Sequence, residues 1–471
     1  FLNRLIFDEI ISTFLINSKI RKTINKIKKV NKKFDNKEFD RIKNRIDFKL
    51  TNDQKVAISQ INNDLKSNKK MFRLLQGDVG SGKTIVALIA SANVISSGFQ
   101  VSLMAPTEIL AKQHYNLAKK LFGKDVNVKI LTSKSEYAEK KEILKDLNNN
   151  LIDILIGTHS LFQEKIKYNK LGLIIIDEQH KFGVKQRMEL ANKGGDNCDI
   201  LIMSATPIPR TLVLAFYGDM DVSKLIEKPA YRKEIITLCK PETKINEVLI
   251  FLRNQISIGN QIFWVCPLIE ESKNLDYAAA VKQYELLNKY FINKVGLVHG
   301  NLDQSQKDKI LKKFLDNSLD ILVSTTIIEV GIDFPNANVI VIENSDKFGL
   351  SQLHQLRGRV GRGVNQGTCI LLFKKNLSEN AKKRIKILKS TNDGFEIAEE
   401  DMRIRGYGDV LGYQQSGIKD FKLADPIHHE ELFRLAEMNI KEIENNEKDF
   451  KKFEPLLKLY DKADIINEIQ S

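Results

Sequence analysis

Cysteine is scarce in this sequence, and the four cysteines present lie far apart. They are Cys198, Cys239, Cys266 and Cys369, and no two of them form a Cys-x-x-Cys pair. A disulfide framework or a structural zinc site is therefore not expected, and reduced thiols in a cytosolic protein are the simpler interpretation. No signal peptide is visible in the given sequence, and no apolar stretch reaches about 18 residues, the length that a membrane-spanning helix needs. We expect no membrane partner and a cytoplasmic location.

The length and the net charge of the chain bear on its number of domains and on the type of partner it binds. A chain of 471 residues is too long for one hydrophobic core, so we expect two or three domains. The sequence carries 74 Lys and Arg against 60 Asp and Glu, a net charge of +14. That surplus is compatible with a polyanionic partner, and a solvated basic surface is the alternative. The sequence begins with Phe1 rather than Met, from which we expect a fragment of a longer protein.

The N-terminal part differs from the rest of the chain in its pattern of apolar and charged residues. Apolar residues recur at helical spacing over residues 1–30, with Lys and Arg between them. The basic run Ile20–Lys33 predicts a solvated helix face, with contact to phosphate as the alternative. Residues 31–49 are polar and predict a connector.

Two series of alternating strands and helices predict an α/β fold. The strands predicted in the first series are Phe72–Gln76, Gln100–Met104, Asn127–Leu131, Asp153–Ile156, Leu171–Ile176 and Ile200–Met203, with helices over Lys83–Ser96 and Thr107–Phe122. The second series has strands Gln261–Val265, Lys294–Val298, Asp320–Val323, Asn338–Ile342 and Thr368–Phe373, with helices within Asn274–Phe291 and over Asp303–Leu315. This alternation predicts two tandem parallel sheets with a ligand cleft between domains. After Asn376 the pattern becomes mainly helical and charged.

The strongest local signal is a phosphate-binding loop between a predicted strand and a predicted helix. Its residues are Gly77, Asp78, Val79, Gly80, Ser81, Gly82, Lys83 and Thr84, which fit G-x-x-x-x-G-K-[ST]. Glycines let several backbone N–H groups point at the phosphates, and the helix N-terminus adds partial positive charge. We expect Lys83 to reach the β- and γ-phosphates and the hydroxyl of Thr84 to ligate Mg²⁺. The alternative is a Gly-rich turn without function.

A carboxylate pair follows the apolar strand Leu171–Ile176 directly. A strand of a parallel sheet delivers Asp177 and Glu178 to its carboxyl end, which is the ligand edge of such sheets. One carboxylate is needed to hold Mg²⁺, and a second to orient or deprotonate the attacking water. We assign these roles to Asp177 and Glu178. An ordinary strand end is the alternative.

Two further segments indicate a motor rather than a simple nucleotide hydrolase. Ser204 and Thr206 end another short strand, where hydroxyl groups can sense the nucleotide. The segment Gln355–Gly363 is rich in Arg and Gly, and its guanidinium groups can stabilise charge on a transferred phosphate. A basic loop that touches RNA or phosphate is the alternative. Lone histidines such as His114 and His299 are interpreted as ordinary surface or packing residues.

The ordered set of segments resembles the motif series of helicase superfamily 2. The segments are Gly77–Thr84, Ala105–Glu108, Gly157–Ser160, Asp177–His180, Ser204–Thr206, Thr325–Asp333 and Gln355–Arg362. The resemblance implies two RecA-like domains with ATP and Mg²⁺ as cofactors. It also implies that Gln54 recognises adenine and that Gly331 and Asp333 help bind ATP. It further implies that Arg359 and Arg362 are the arginine-finger pair, and of the two Arg362 is the expected finger. Coupling of the nucleotide to DNA then falls to Thr107, Thr158, His180, Ser204, Thr206, Thr325 and Gln355.

Longer segments are similar to the RecG family of bacterial branched-DNA helicases. They are Leu74–Thr84, Asp177–Val184, Met203–Thr211, Ile342–Gly363, Asp393–Ala398, Arg405–Asp409 and Gln415–Gly417. The last three resemble the translocation motif that this family shares with the transcription-repair coupling factor, in which Arg403, Arg405, Gln414 and Gln415 are the candidates for coupling to DNA. Tyr407 and Tyr413-Gln414 depart from the Pro and Thr-Arg expected there. The family's N-terminal wedge domain has no counterpart in the sequence, and residues 1–49 resemble the linker helices that follow it.

The resemblance implies a motor that hydrolyses ATP, moves on double-stranded DNA and remodels branched DNA in recombination and repair. Fork regression and branch migration of Holliday junctions are the implied reactions. The implied protein is a monomer in the bacterial cytoplasm, with single-stranded-DNA-binding protein as a further partner. The implied domains are residues 1–49 (helical linker), 50–232 (first RecA-like domain), 233–375 (second RecA-like domain), 376–425 (translocation hairpin and loop) and 426–471 (C-terminal helical tail).

Three other functions stay open at this point. A transcription-repair coupling translocase is the nearest, but Ser81 and Gln179-His180 favour the branched-DNA family. An RNA helicase fits less well because of the translocation motif. A DNA-binding ATPase module without unwinding activity is the third, and the presence of Lys83, Asp177 and Glu178 argues against a loss of chemistry.

Overall fold

The computed structural model describes residues 1–460, except 27, 35–36, 134, 163–165, 178–194, 205–219, 230–232, 268–272, 326–333, 362, 364, 406–420, 426–427 and 445–450. The chain divides into two compact units. One comprises Phe1–Gly77, Gly82–Glu227 and the described residues from Arg405 on, and the other comprises Asp78–Ser81 and Lys228–Ile404. None of the described helices is long and apolar enough to cross a membrane.

The first unit is built on a parallel sheet of seven described strands. The strands are β1 (Phe72–Gly77), β2 (Gln100–Met104), β3 (Val128–Leu131), β4 (Ile154–Gly157), β5 (Leu171–Ile176), β6 (Asp199–Ser204) and β7 (Asp221–Leu225). Their order is β3-β4-β2-β5-β6-β1-β7, and each neighbouring pair is parallel. The carboxyl ends of all these strands therefore lie along one edge of the sheet.

Helices cover this sheet, and buried strand residues alternate between two cores. The helices of this part are α1 (Leu2–Lys26), α2 (Lys37–Asn44), α3 (Asn52–Lys66), α4 (Lys83–Ser96), α5 (Glu108–Phe122) and α6 (Tyr137–Asn148). In β5, Leu173 and Ile175 belong to one core while Ile174 and Ile176 belong to the other. Because successive side chains of a strand point to opposite faces, a strand buried on both faces needs an uninterrupted apolar run.

The second unit repeats the plan with six described strands. They are β8 (Ile236–Pro241), β9 (Gln261–Val265), β10 (Val295–Val298), β11 (Ile321–Ser324), β12 (Ala337–Ile342) and β13 (Thr368–Phe373), in the parallel order β10-β11-β9-β12-β13-β8. The helices that follow in the chain are α7 (Ile245–Ser257), α8 (Lys273–Tyr290), α9 (Gln304–Leu315), α10 (Leu350–Arg357), α11 (Glu379–Ser390) and α12 (Gly394–Arg405). Trp264 is fully buried in the core, and Phe263, its neighbour in β9, packs against Phe314 and Phe334 with ring centroids 5.4 Å apart.

The expected α/β architecture of two parallel sheets followed by a mainly helical segment is confirmed. After α12 the described helices are α13 (Glu430–Glu444) and α14 (Glu454–Leu459). They pack with α1 in a separate apolar cluster, to which α1 contributes Ile10 and Phe14 and α13 contributes Phe433. The rings of Phe14 and Phe433 meet edge to face, with centroids 6.0 Å apart.

A buried carboxylate ties the chain to α1 just before α13. The side chain of Glu9 is 2% exposed, and its two oxygens accept hydrogen bonds from the backbone N–H groups of Lys422, Leu423 and Ala424 at 2.5–2.9 Å. A carboxylate removed from water needs such donors, because an unsatisfied buried charge is costly. Glu9 therefore fixes the backbone at residues 422–424 against α1.

The basic run near the N-terminus is not simply a solvated face. The ammonium groups of Lys29 and Lys32 are fully buried and lie 2.7 and 2.6 Å from the carboxylate of Asp199, at the start of β6. Asp199 also accepts the backbone N–H of Met71 at 2.7 Å. Burial lowers the pKa of Lys29, and the charge of Asp199 opposes that shift. The expectation of a solvated helix face is wrong for these two lysines, which attach the segment after α1 to the sheet.

The Asp199 cluster predicts a large stability difference between two Asp→Asn variants. Asp199→Asn leaves two buried ammonium groups without their counter-charge, and we expect it to destabilise the first unit by about 3–5 kcal/mol. Asp47→Asn is the matched control, because it removes an ion pair with Lys120 in which the Asp47 side chain is 82% exposed. Such a pair contributes about 0–1 kcal/mol. Native-state hydrogen exchange of the β1 and β6 amides measures both changes. Equal effects of the two variants would contradict the cluster's role.

Candidate nucleotide-binding site

The predicted phosphate loop connects β1 to α4, as the spacing required. Gly80 and Gly82 have φ angles of 77° and 86°, in the left-handed region that side chains disfavour. Gly82 is the N-cap of α4, and no side chain caps this helix end. The first-turn N–H groups of a helix lack intrahelical partners and point along its axis, so this end can receive an anion.

Lys83 lies inside the loop that it is predicted to serve. Its ammonium group is buried and donates a hydrogen bond to the carbonyl oxygen of Gly77 at 2.7 Å. The carbonyl holds the charge at the carboxyl end of β1, where the loop begins. Thr84 follows in the first turn of α4. The positions of both residues are those that phosphate and Mg²⁺ binding require, and their roles stay predictions.

Gln54 packs against the phosphate loop although it is 28 positions earlier than Gly82 in the numbering. A Cβ atom at Gly82 would lie 2.3 Å from Nε2 of Gln54, which is closer than real side-chain contacts allow. Gln54 is fixed by a capping box at the start of α3, where its Oε1 accepts from the N–H of Thr51 at 3.0 Å and its own N–H donates to Oγ1 of Thr51 at 3.2 Å. The residue predicted to recognise adenine is thus held beside the loop.

A further contact at the start of α3 was missed by sequence reasoning. The carboxylate of Asp53 accepts hydrogen bonds from the N–H groups of Ile226 and Glu227 at 2.7 and 2.8 Å. The carboxylate of Glu227 in turn accepts the N–H of Asn52 at 2.8 Å. The segment that carries Gln54 is therefore attached to the end of β7, which is the strand beside β1.

Asp177 follows β5 at the same edge of the sheet as the phosphate loop. Its backbone N–H donates to the carbonyl of Met104 at 2.9 Å, which continues the pairing of β5 with β2. Its carboxylate lies 2.8 Å from Nε2 of His114, and both residues are buried. His114 was interpreted as an ordinary surface or packing residue. The ring is buried rather than at the surface, and it contacts the carboxylate predicted to hold Mg²⁺.

The helix that carries His114 begins at another predicted residue. Thr107 is the N-cap of α5 and accepts the N–H of Leu110 on its hydroxyl at 3.3 Å. His114 lies seven positions further on, about two helical turns. Thr107 was predicted to couple the nucleotide to DNA, and its observed contact positions α5.

The other predicted residues are distributed over both units. Thr158 follows β4, Ser204 is the buried last residue of β6, and Thr325 is buried just after β11. Gln355 is half-buried in α10, and Arg359 is buried in the turn that follows. Arg403 is exposed on α12 and pairs with Glu400, and Arg405 ends that helix. The remaining candidates lie outside the described residues: Glu178, His180, Thr206, Gly331, Asp333, Arg362, Gln414 and Gln415.

A buried chain of hydrogen bonds in the second unit includes Asp78, which is grouped with that unit. Arg357 donates to Nδ1 of His354 at 2.9 Å, so Nε2 of His354 carries the ring proton and donates to Oδ1 of Asp78 at 2.8 Å. Arg357 also donates to the carbonyls of Leu388 and Thr391. Burial raises the pKa of Asp78, but the contact with His354, the charge of Lys228 and the backbone N–H of Val79 together outweigh burial and hold that pKa well below its usual range. Gln355 was predicted from the sequence as a coupling residue, whereas its neighbour His354 was not identified.

These features define the class of protein. A phosphate loop after β1, a carboxylate after β5 and a second parallel α/β unit are the arrangement of a helicase motor of superfamily 2. Family models agree: DEAD/DEAH box helicase matches residues 51–214, and Helicase conserved C-terminal domain matches residues 242–364. A third model, described as ATP-dependent DNA helicase RecG, domain 3, C-terminal, matches residues 391–462.

The chain belongs to the RecG family. It is 47% identical over 444 residues to the ATP-dependent DNA helicase RecG of Thermotoga maritima, a match that covers 94% of this chain and 57% of the relative. It is 48% identical over 402 residues to that of Bacillus subtilis, with 85% and 59% covered. The chain thus spans less than two thirds of the length of these relatives.

Solved structures agree with this assignment. A RecG structure bound to a three-way DNA junction superposes with a TM-score of 0.76 at 44% identity, covering 92% of this chain and 57% of that one. Mss116p bound to single-stranded RNA and AMP-PNP is 19% identical with a TM-score of 0.57 and covers 75% of each chain. At that identity the similarity to Mss116p shows the fold alone.

The contact between Gln54 and Gly82 predicts that two Gly→Ala variants differ in nucleotide binding. Gly82→Ala adds a methyl group where Nε2 of Gln54 lies, and we expect ATP affinity to fall by at least about tenfold, or 1.4 kcal/mol. Gly98→Ala is the matched control, because Gly98 also has a positive φ, of 80°, but has no atom within 4 Å of a built Cβ. Both variants carry the backbone strain of about 1–2 kcal/mol. Fluorescence titration with a labelled ATP analogue measures the affinities. Equal affinities would show that the contact with Gln54 does not matter.

Proposed function

We propose that this chain is an ATP-dependent motor that moves on double-stranded DNA and remodels branched DNA. The observation that carries the proposal is the placement of the phosphate loop with Lys83 and of the Asp177 carboxylate at one edge of one parallel sheet. The relative solved with a three-way junction supports branched DNA as the substrate. A net charge of +14 is in keeping with a polyanionic partner.

Each part of ATP hydrolysis has a candidate residue in this proposal. The loop Gly77–Thr84 binds the phosphates, and Lys83 balances the charge of the β- and γ-phosphates. The hydroxyl of Thr84 and the carboxylate of Asp177 are oxygen ligands, the type that Mg²⁺ takes, and the ion supplies further positive charge to the phosphates. Glu178 orients the attacking water. Arg359 and Arg362 stabilise charge that develops on the transferred phosphate.

Movement on DNA is assigned to the translocation motif and to the residues named for coupling. Arg403, Arg405, Gln414 and Gln415 are proposed to act between hydrolysis and the duplex. Contacts to phosphate make binding independent of sequence and sensitive to salt. For the whole protein we propose fork regression and Holliday junction migration in recombination and repair. We also propose that the protein is a cytoplasmic monomer and that it binds single-stranded-DNA-binding protein. The division into five domains, with boundaries at residues 49, 232, 375 and 425, is part of the same proposal.

The direct test is ATP hydrolysis by this chain with no DNA, linear duplex, single-stranded DNA, single-stranded RNA or a model fork. We expect stimulation by duplex and fork DNA that declines as salt is raised. Lys83→Ala removes a charge from the phosphate loop, and we expect it to lower the stimulated rate by about 100-fold or more. Lys145→Ala is the matched control, since Lys145 is exposed on α6.

Other outcomes of this experiment separate the alternatives. Stimulation by RNA alone would favour an RNA helicase. Stimulation by DNA without separation of the fork's arms would favour a DNA-binding ATPase module. Full activity in Lys83→Ala would refute the role of the phosphate loop.

A further inference from the structure

His114 is a polar residue on the buried face of α5. The other buried residues of this helix are Leu110, Ala111, Ala118, Leu121 and Phe122, which are apolar. A buried imidazole costs free energy unless its N–H is hydrogen-bonded. The 2.8 Å contact to Asp177 meets that requirement, so the position is adapted to a partner rather than to packing alone.

The direction of this hydrogen bond follows from the chemistry of the two groups. An ionised carboxylate only accepts hydrogen bonds, so the proton lies on Nε2 of His114, which donates to Oδ2 of Asp177. An Asp side chain rotates about two bonds, and a donor on one oxygen favours the orientations of the carboxylate that keep this contact. The backbone of Asp177 is already fixed by its hydrogen bond to Met104. His114 therefore restricts the orientation of the Asp177 carboxylate.

The position of His114 is set independently of Asp177. The cap at Thr107 fixes the start of α5, and the buried face of the helix joins the core on one side of the sheet. The ring is thus presented to the end of β5 by a rigid helix. Groups that ligate metals are commonly held by such second contacts, whose loss costs about 10–100-fold in metal affinity or activity.

We propose that His114 is a positioning residue that orients the Asp177 carboxylate for the Mg²⁺ of bound ATP. The inference rests on the proposed role of Asp177 and goes beyond it by giving that carboxylate a dedicated partner on α5. His114 touches neither ATP nor the ion in this proposal. It acts through Asp177, and the short segment from Thr107 to His114 links the start of α5 to the metal site.

The test measures metal binding separately from hydrolysis. Mn²⁺, whose binding electron paramagnetic resonance detects, is titrated into the protein in the presence of ADP. His114→Phe keeps a ring but removes the donor, and we expect the Mn²⁺ concentration for half-saturation to rise by about 10–100-fold. His114→Gln keeps a donor at the same distance from the backbone, and we expect it to restore most of the affinity. ADP binding in EDTA is measured for each variant, and we expect it to stay at the wild-type level because the phosphate loop is intact.

The chain offers a matched control in a second His–Asp pair. Nδ1 of His428 lies 2.8 Å from the carboxylate of Asp425, the same separation as in the buried pair, but the His428 side chain is 73% exposed. We expect His428→Phe to leave Mn²⁺ binding unchanged. A loss of Mn²⁺ affinity in this variant equal to that of His114→Phe would overturn the proposal.

Asp177→Asn separates failure of this inference from failure of the proposed function. Weakened Mn²⁺ binding in both Asp177→Asn and His114→Phe, with recovery in His114→Gln, supports the proposal. Weakened binding in Asp177→Asn with wild-type binding in His114→Phe overturns the role of His114 and leaves that of Asp177 intact. Wild-type binding in Asp177→Asn overturns the assignment of Asp177, and the role of His114 with it. Equal loss in His114→Phe and His114→Gln also counts against a role for the donated hydrogen bond.

Discussion

Parallel pairing of the central strands is the constraint on which the candidate site depends. β1 lies between β6 and β7, and β5 joins β6 to β2. Because all of these strands run in the same direction, the segments that follow β1, β2, β4, β5 and β6 emerge at one edge of the sheet. Each of those segments carries one of the predicted motifs. Residues from Gly77 to Ser204 are thereby brought to one edge with no direct contact needed between the motifs themselves.

The buried strands could be predicted from the sequence, whereas two of the four described edge strands could not. β2, β5, β9 and β13 have the bounds expected from their apolar runs. These strands are covered on both faces, so most of their residues are apolar. The edge strands β7 and β8 were missed because polar and exposed residues interrupt their apolar pattern. The other two edge strands, β3 and β10, were predicted. Helix α6 was missed because only Ile143 and Leu147 of its residues are buried among those described.

The candidate site likewise has features that depend on neighbouring residues, which could be predicted, and features that depend on residues far apart in the sequence, which could not. The phosphate loop is readable because glycine, lysine and threonine spacing is local and its backbone angles require glycine. The partners of Asp177 and Asp199 are not readable, since His114 and Lys29 are 63 and 170 positions away from them. The residues next to a lone histidine or within a basic run do not indicate that a buried carboxylate will contact it in the folded protein. Only the packing of α5 and of the connector against the sheet brings the charges together.

The helical cluster around α1 has a consequence for biosynthesis. The apolar face of α1, with Ile10 and Phe14, is completed by Phe433 of α13, and the Glu9 carboxylate accepts hydrogen bonds from residues 413 or more positions later. At a synthesis rate of about 5–20 residues per second, α1 leaves the ribosome roughly 20–80 s before those partners exist. Both sheets can form in that interval, whereas α1 keeps an uncovered apolar surface. The cluster that encloses α1 can therefore form only after synthesis has reached α13.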